Sequence, residues 1–450
     1  TVDLKAVNSL GVAGSPVHTA ATNATVVATN GNAIVRQTGA VNLGTSSAGT
    51  GFSYTGDNNI TLTGVGANAI SAGSVAAGDL TLASTGGKIL VNSTATTTLR
   101  NSSATGDVIV NTGANNVETV GANAFVVNSA RDINITAGIV NGQSGANVSL
   151  TAVRDINAAG VGINTSNGAG TAKDITIKST GGSGTISIGA LTANGTGGAG
   201  GVITVQNDTN NVMTVNGLSI SATGTTKGGT VNILNNGVGA GNGGINLNGI
   251  GAVNLTSGAS GGQVNIKALG NGDGVINFTS VAASGLDVSG TGAASAGGSI
   301  DIEGKSFTNV TPGLSLKADG GAAGTVGSVK LVTTGAAANI SLGNTASGAQ
   351  FDLGTAARAS WQVNSGGALT ISSDQGTTGT IDFSSVGTTT INAVLSSSDN
   401  SVNAVKINTG TGISNNAAGA ISATTGRATL TATTGNIGAS AAVALKTQVQ

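Results

Sequence analysis

Apolar and polar residues alternate in short runs along the whole chain, and small residues separate one run from the next. Alternation over about four to eight residues predicts a strand with one buried face, and its reiteration predicts one structural unit repeated many times. The sequence therefore predicts an all-β fold, a parallel β-solenoid. The clearest runs are Asp132-Ile-Asn-Ile-Thr136, Asn147-Val-Ser-Leu-Thr151, Asp174-Ile-Thr-Ile-Lys178, Gly228-Gly-Thr-Val-Asn-Ile233, Gly261-Gly-Gln-Val-Asn-Ile266 and Gly297-Gly-Ser-Ile-Asp-Ile302.

The spacing of these runs indicates the length of one coil. Arg131, Arg154 and Lys173 each open a basic-Asp-Ile-polar phrase, with offsets of 154 − 131 = 23 and 173 − 154 = 19 residues, which we interpret as about one coil. Farther along, the glycine-led runs lie 261 − 228 = 33 and 297 − 261 = 36 residues apart, which indicates longer coils of three strands with Gly, Ala, Ser and Asn at the corners.

These spacings predict a right-handed parallel β-helix of roughly 15 to 22 coils, because crossovers between parallel strands prefer the right hand. Residues 1–450 are interpreted as a single elongated β-solenoid, a segment of a longer exported protein. Within it, Val, Ile and Leu should point inward and stack between coils. Ile175 and Ile177 should be inward and Thr176 outward, while glycine permits the tight corners.

The composition excludes several other classes. Gly occurs 76 times, Pro twice, and only 2% of the residues are aromatic and 8% charged, far from the averages for globular domains. Disorder normally comes with few β-branched residues, whereas Val, Ile and Thr are abundant here. Glycine does not recur at every third position, which excludes collagen.

The charge and the hydropathy pattern limit the kinds of partner that the chain is expected to have. The formal net charge is −1, which provides no electrostatic footprint for nucleic acid or anionic lipid. No apolar run approaches the roughly 18 residues of a membrane-spanning helix, so no transmembrane segment is predicted. The absence of cysteine is compatible with export and folding without disulfides.

Three segments carry a resemblance to a known family: Ser149-Leu-Thr-Ala-Val-Arg-Asp-Ile-Asn157, Asp79-Leu-Thr-Leu-Ala-Ser-Thr-Gly-Gly-Lys-Ile-Leu-Val91 and Ala368-Leu-Thr-Ile-Ser372. They resemble the repeats of filamentous haemagglutinin-like proteins, the passengers of two-partner secretion and autotransporter systems. The likeness is one of repeat type and extends over nearly the whole chain. It implies a right-handed β-helical rod exported to the bacterial surface, in a family with many adhesins and matrix components.

Candidate chemistry is sparse. Asp301 and Glu303 flank an inward isoleucine and should share one outer face with Lys305, an arrangement suited to acid/base work on polysaccharide, although a solvated strand face is the favoured interpretation. His18, the single histidine, is expected at the surface. Asn271-Gly-Asp-Gly274 is similar to a calcium-binding turn, but one copy is no array. The sequence therefore assigns no catalytic, cofactor-binding or metal-binding residue and no cofactor, and it predicts a protein that is not an enzyme.

Aromatic residues and small polar motifs leave further alternatives open. Phe278, Phe307, Phe351, Trp361 and Phe383 should fill the wider coils, whereas an exposed Trp361 would indicate carbohydrate stacking. Thr96-Thr-Thr98 and Thr388-Thr-Thr390 are similar to the threonine arrays of ice-binding solenoids. Asn-x-Ser/Thr triplets should present Asn outward, either for glycosylation or as ladders. They include Asn59-Ile-Thr61, Asn134-Ile-Thr136, Asn254-Leu-Thr256, Asn309-Val-Thr311 and Asn339-Ile-Ser341.

The sequence predicts an extracellular structural rod of a bacterial surface adhesin, filament or matrix. The alternatives are a polysaccharide-acting enzyme and a glycan-binding module on the same scaffold. At least three charged residues clustered on neighbouring coils would favour the enzyme, and a uniform Asn/Thr/Ser surface would favour the rod. Expected partners are further coils or copies of the same chain, surface glycans, and a host or neighbouring cell surface. Thr1–Lys5 alternates like a strand and Ala441–Gln450 is at most a weak helix, so no capping helix is predicted.

Overall fold

The computed structural model is an all-β parallel β-helix, which confirms the fold class predicted from the alternation. It describes residues 1–141, 145–181, 184–209, 211–217, 219–237, 243–249, 251–269, 274–279, 281, 285–438 and 445–449. No α-helix occurs in these ranges, and a short 3-10 turn spans Thr345–Ser347. Strands at the same place in successive coils pair in parallel, except between Ser306–Thr308 and Ile340–Leu342 and between Phe351–Asp352 and Gln375–Thr377. We name the three stacks first, second and third in the order in which a coil visits them.

The chain forms two compact units. The first comprises Thr1–Asn194, Gly201–Thr209 and Met213–Leu218, and the second comprises Gly195–Gly200, Asn210–Val212 and Ser219–Gln450. Among the described residues, the first stack contains nine strands in the first unit and eight in the second. Because each coil contributes one such strand, these counts agree with the predicted number of coils.

The strands of the first unit are short and belong to all three stacks. The first stack consists of Val2–Ala6, Asn23–Ala28, Ser46–Ala48, Gly66–Ala72, Thr97–Asn101, Phe125–Ser129, Val148–Ala152, Ile175–Ser179 and Val202–Asn207. The second consists of Val17–Thr19, Ala33–Gln37, Phe52–Gly56, Leu80–Ser84, Val108–Asn111, Ile133–Thr136, Ile156–Ala158, Thr185–Ile188 and Met213–Asn216. The third consists of Val41–Leu43, Ile60–Leu62, Ile89–Val91, Val117–Thr119, Ile139–Asn141, Gly162–Asn164 and Ala190–Thr192.

The second unit repeats this plan with several longer strands, of six or seven residues, in its first stack. Its first stack consists of Thr230–Asn235, Gln263–Ala268, Ser299–Gly304, Gly327–Thr333, Ala359–Ser365, Ile381–Ser385, Val405–Thr409 and Ala428–Ala432. The second consists of Ile245–Asn248, Val275–Asn277, Ser306–Thr308, Ile340–Leu342, Leu369–Ile371, Thr389–Ile391 and Ile413–Asn415. The third consists of Ser219–Ser221, Val253–Asn254, Leu286–Asp287, Leu314–Lys317, Phe351–Asp352, Gln375–Thr377, Val394–Ser397, Ala420–Ala423 and Lys446–Val449.

Inward apolar side chains form continuous columns, as the alternation predicts. Ile175 is fully buried and pairs with Val148 on one side and Ile203 on the other. Ile177 is also buried, whereas Thr176 between them faces outward. Burying each Ile or Val side chain contributes about 1.5 to 3 kcal/mol, so the columns are the main source of stability in each unit.

Strand pairing gives the coil lengths directly and corrects one of the predictions. Ile133 pairs with Ile156 in the second stack, which confirms the 23-residue coil. The 19-residue offset to the phrase at Lys173 is wrong as a coil length, because Ile175 lies in the first stack and pairs with Val148, 175 − 148 = 27 residues earlier. The longer coils are confirmed, since 263 − 230 = 33 and 299 − 263 = 36 residues separate paired positions.

Glycine occupies corners where the backbones of neighbouring coils approach each other closely. A Cβ on Gly261 would lie 2.0 Å from the carbonyl oxygen of Val288 and 2.4 Å from the amide nitrogen of Gly298. A Cβ on Gly297 would likewise lie 2.3 Å from the amide nitrogen of Gly327. Both distances are well below any real Cβ contact, so the backbone would have to move to accept a larger residue.

Aromatic side chains fill the interior, as predicted. Phe278, Phe307 and Phe351 pack edge to face in a trio with ring centroids 5.5 to 6.2 Å apart. Trp361 is only 1% exposed, which confirms its predicted place in the interior and excludes the alternative of an exposed Trp361 that stacks on carbohydrate. Thr97 and Thr98 are buried and only Thr96 is exposed, so the first threonine triplet does not form a threonine array at the surface.

Candidate functional site

Asp301 and Glu303 lie on the outer face of strand Ser299–Gly304 and flank the buried Ile302, as the alternation predicts. Both carboxylates are about three-quarters buried by their neighbours, with 22% and 23% of their side chains exposed. Lys305 was expected next to them on the same face. It instead lies after the end of this strand, half-buried in the connection to Ser306–Thr308.

Lysines from the two neighbouring coils complete the cluster. Lys267 Nζ, one coil earlier, lies 2.6 Å from Asp301 Oδ2 and 3.4 Å from Glu303 Oε1. Lys330, one coil later, forms an ion pair with Glu303, and its Nζ lies 3.6 Å from Asp301 Oδ1. We name Lys267, Asp301, Glu303 and Lys330 the charged quartet. Two lysines balance two carboxylates, so the quartet has no formal net charge.

The quartet stabilises the ionised forms of Glu303 and Lys267. Burial disfavours the charged Glu303 carboxylate, but the hydrogen bond from Lys330 and the charges of both lysines hold the pKa of Glu303 below its ordinary value. Burial likewise disfavours the charged Lys267, yet Asp301 and Glu303 raise the pKa of its ammonium group. Both groups are therefore ionised at neutral pH.

These pKa directions are unfavourable for acid/base chemistry at neutral pH. A carboxyl acting as general acid needs a raised pKa, and a lysine acting as general base needs a lowered one. Glu303 and Lys267 are shifted in the opposite directions. The arrangement of the quartet is therefore suited to joining three coils by ion pairs.

A polar groove of about 450 Å³ lies beside the quartet on the outer face of the first stack in the second unit. Strand register aligns its lining side chains in two columns that run from coil to coil. The first column is Gln263, Ser299, Ser328, Ser360 and Thr380, and the second is Asn265, Asp301, Lys330, Gln362 and Asp382. We name this feature the outer groove.

Several lining groups of the outer groove are available to a ligand. Within the described residues, the side chains of Ser299, Ser328 and Gln362 make no hydrogen bond to the protein, and Ser328 and Gln362 are exposed. Asn265 is already engaged, because its amide donates to Asn232 Oδ1 at 2.8 Å. Asp382 forms an ion pair with Lys406, with 3.2 Å between Nζ and Oδ2.

A second group of charges lies in the first unit. The sequence indicated only that Arg131 and Arg154 begin a repeated phrase. Arg131 Nε is 3.4 Å from Asp107 Oδ1, and Asp132 forms an ion pair with Arg154. Burial raises the pKa of Asp107 despite the nearby Arg131. Burial also disfavours ionised Asp132, but the hydrogen bonds from Arg154 and the backbone of Asp155 hold the pKa of Asp132 below its ordinary value.

The remaining sequence candidates do not assemble into a site. His18 is exposed on strand Val17–Thr19, as expected. No cluster of three or more His, Cys, Asp or Glu residues suited to a metal ion occurs in the part of the chain that the structure describes. Residues 271–273 of the calcium-like turn and residues 441–444 and 450 of the weak helix candidate lie outside the described residues. Lys446–Val449 of that candidate form a strand, so the weak helix is wrong there.

The Asn-x-Ser/Thr triplets present their asparagines outward, and four of the five follow the strand alternation. Asn309 is the exception, since it adopts a positive φ of 51° in a turn. Some of these asparagines already have structural partners: Asn339 Oδ1 accepts from the amide of Ala368 at 2.8 Å, and Asn59 Oδ1 accepts from that of Lys88 at 2.8 Å. Glycosylation of these positions stays a prediction.

A search for membrane-spanning helices among the described residues finds none of sufficient length and hydropathy. Comparison with known proteins finds no match: no family model, no curated protein and no solved structure aligns with the chain. Any functional conclusion therefore depends on the fold, the charged quartet and the outer groove themselves.

Proposed function

We propose that this protein is a structural rod of the bacterial cell surface or extracellular matrix, in an adhesin stalk or a filament. The observation that carries the proposal is the repetition of one coil plan within each unit, with apolar columns inside and Asn, Thr, Ser and Gly outside. Such a fold gains stability coil by coil and needs no specialised centre. The resemblance to filamentous haemagglutinin-like repeats supports the same role.

Electron microscopy of the native material tests the proposal. Rods or fibres whose thickness matches one coil are the expected result, and antibody against the chain should label them along their length at the cell surface. Compact particles, or labelling confined to the cytoplasm, would contradict the structural role.

The second candidate is a polysaccharide-acting enzyme, and the charged quartet is the observation that favours it. Four charged side chains on three neighbouring coils meet the criterion that the sequence suggested for catalysis. Against this candidate, the four charges neutralise one another, and the pKa values of Glu303 and Lys267 are shifted away from acid/base use. The rod is therefore the stronger proposal.

Assays of the purified chain on neutral and acidic polysaccharides separate the two candidates. The rod predicts no release of reducing ends or unsaturated products above background. Turnover that disappears in both Asp301→Asn and Glu303→Gln, with the strand content retained, would establish the enzyme. Thr176→Asn, on the outer face of the other unit, is the matched control.

A further inference from the structure

We propose that the outer groove binds a neutral, extended polysaccharide chain laid along the coil axis. The inference deepens the proposed function, on which it rests for one point: a rod at the cell surface or in a matrix meets such polymers.

The groove offers hydrogen-bonding groups that the protein itself does not use. Ser328 and Gln362 lie exposed at the centre, with no side-chain partner among the described residues, and Ser299 is free one coil earlier. Hydroxyl groups both donate and accept, and an amide offers two donors and an acceptor. This mixture is complementary to the vicinal hydroxyl groups of a sugar.

The charges favour a neutral ligand. Asp301, Lys330 and Asp382 line the groove, and each is paired with an opposite charge. With Lys267, Glu303 and Lys406 included, three lysines balance three carboxylates. An acidic polymer would gain no net attraction, and a cationic one would have to compete with the lysines for the carboxylates.

The groove recognises its ligand without stacking. All eight aromatic side chains of the protein are buried, including Trp361, whose strand passes beneath the groove. Hydrogen bonds to exposed groups are individually worth only about 0.5 to 1.5 kcal/mol. A useful affinity therefore requires a ligand that contacts several coils at once.

The two columns supply this repetition. They present one pair of polar side chains per coil over five coils, from Gln263 and Asn265 to Thr380 and Asp382. With about 4.8 Å between paired strands, four steps span about 19 Å. A straight β-linked hexose chain advances by a similar step per sugar, so each coil can meet one sugar.

Isothermal titration calorimetry of the whole chain with cellohexaose tests the inference, with hexagalacturonate as the acidic counterpart. Cellohexaose should bind with an affinity that does not change with salt concentration. This affinity should be higher than that of hexagalacturonate. Ser328→Arg, which fills the centre of the groove from an exposed position, should lower the association constant about tenfold or more, equivalent to ~1.4 kcal/mol. Gln362→Ala should lower it less. Thr429→Arg is the matched control, because Thr429 is exposed on the same outer face but lies beyond the groove.

Absence of cellohexaose binding, equal binding by Ser328→Arg and the unaltered chain, or preferential binding of hexagalacturonate that weakens with salt would each overturn the inference. Circular dichroism of each variant verifies that the strands are retained. Binding without rods in the electron microscope overturns the structural role alone. Rods without binding overturn the groove alone.

Discussion

Ile175 and Thr176 are neighbours in one strand and yet face different surroundings. Ile175 stacks between Val148 and Ile203 in the dry interior, and Thr176 lies between Ser149 and Thr204 at the surface. The two positions therefore provide a direct comparison of the inside and the outside of a coil at one location.

We expect Ile175→Asp to destabilise the first unit by several kcal/mol, because it places an unpaired charge between two apolar neighbours. Thr176→Asp should cost much less, since the new carboxylate remains in water. Thermal and urea unfolding followed by circular dichroism measure the difference. Equal tolerance of the two changes would mean that the faces of this strand are reversed.

Asp107 and Asp132 occupy equivalent positions one coil apart but respond oppositely to their surroundings. Burial raises the pKa of Asp107, and Oδ1 of this residue is buried without a hydrogen bond. The pKa of Asp132 is lowered despite burial, because Arg154 and a backbone amide stabilise its charge. Ionised Asp132 therefore stabilises the fold above its unfolded pKa, and ionised Asp107 opposes it.

We expect Asp132→Asn to lower the unfolding temperature at pH 7 by a few degrees. Its effect should shrink as the pH falls from about 4, where the unfolded chain begins to take up the proton, toward the lowered pKa at which Asp132 in the folded protein is protonated as well. Asp107→Asn should leave the unfolding temperature at pH 7 nearly unchanged or raise it slightly. Burial disfavours the ionised Asp107 carboxylate in the folded protein, so the stability that accompanies its raised pKa at low pH is lost as the pH rises. Differential scanning calorimetry between pH 3 and pH 7 on both variants distinguishes these trends. A larger loss for Asp107→Asn at pH 7 would contradict the assignment.

Some inward polar residues could not have been predicted from alternation. Asn235 ends a first-stack strand at a fully buried position, where its amide donates to the carbonyl oxygens of Asn211 at 2.9 Å and Gly244 at 2.8 Å. Asn101 does the same for Gly78 and Asp107. Asn235 and Asn101 lie two positions after the inward Ile233 and Leu99, but their polar side chains end the apolar alternation, and the sequence does not reveal which backbone carbonyls need a donor there.

At the scale of the strand, Asp and Asn recur immediately before the first buried residue for a structural reason. Asn147 Oδ1 accepts from the amide of Asp174 at 3.0 Å, and Asp174 Oδ1 accepts from that of Val202 at 3.0 Å. In the second stack, Asp132 Oδ1 accepts from the amide of Asp155 at 3.1 Å. Each side chain thus joins its coil to the next.

These Asp and Asn side chains explain why the repeat was predicted correctly from the sequence while the 19-residue offset was wrongly interpreted as a coil length. Asp155 and Asp174 precede strands of different stacks, yet both satisfy the next coil in the same manner and so begin the same phrase. Local pattern predicted the strands and the long coils correctly. It could not distinguish the stacks, because the alternation in each is identical.

The sequence predicted the two carboxylates of the charged quartet but not its two lysines, because the lysines come from other coils. Asp301 and Glu303 are two residues apart and share a face by alternation alone. Lys267 is 34 residues from Asp301, and Lys330 is 27 residues from Glu303, so their meeting depends on the register of coils whose lengths vary. Only pairing between strands supplies this register.

Corner glycines should be intolerant of substitution in proportion to how closely the backbones approach. We expect Gly261→Ala to destabilise the second unit by about 1 to 3 kcal/mol, because its Cβ would lie 2.0 Å from a carbonyl oxygen. Gly258→Ala is the control, since its Cβ would meet nothing closer than 3.4 Å. Urea unfolding measures both. Similar midpoints for the two variants would show that the corner can relax.

At the scale of the whole molecule, strand Val2–Ala6 of the isolated 450-residue chain has a partner strand on one side only within the described residues. This partner is Asn23–Ala28, and the inward Leu4 of Val2–Ala6 is half-exposed, whereas Val26 in the next coil is fully buried. An unpaired strand edge beside exposed apolar residues is a template for another strand. The low net charge does little to oppose such contact.

We therefore expect the 450-residue chain to associate as its concentration rises. Leu4→Lys should reduce association by placing a charge at the open edge, whereas Thr176→Lys adds the same charge at an outward position within the stack and should not. Sedimentation velocity over a concentration series measures the effect. A monomer at every concentration would rule out self-stacking through this edge.

Unequal coil length also has a mechanical consequence. Paired positions are 381 − 361 = 20 residues apart at Trp361 and Ile381 but 36 apart at Gln263 and Ser299. If tension peels off one coil at a time, each rupture releases up to ~3.5 Å per residue, about 70 Å for the shorter coil and about 125 Å for the longer. Coils that look alike in the core would then differ in a force-extension trace. The order of step sizes would identify which part of the chain is yielding.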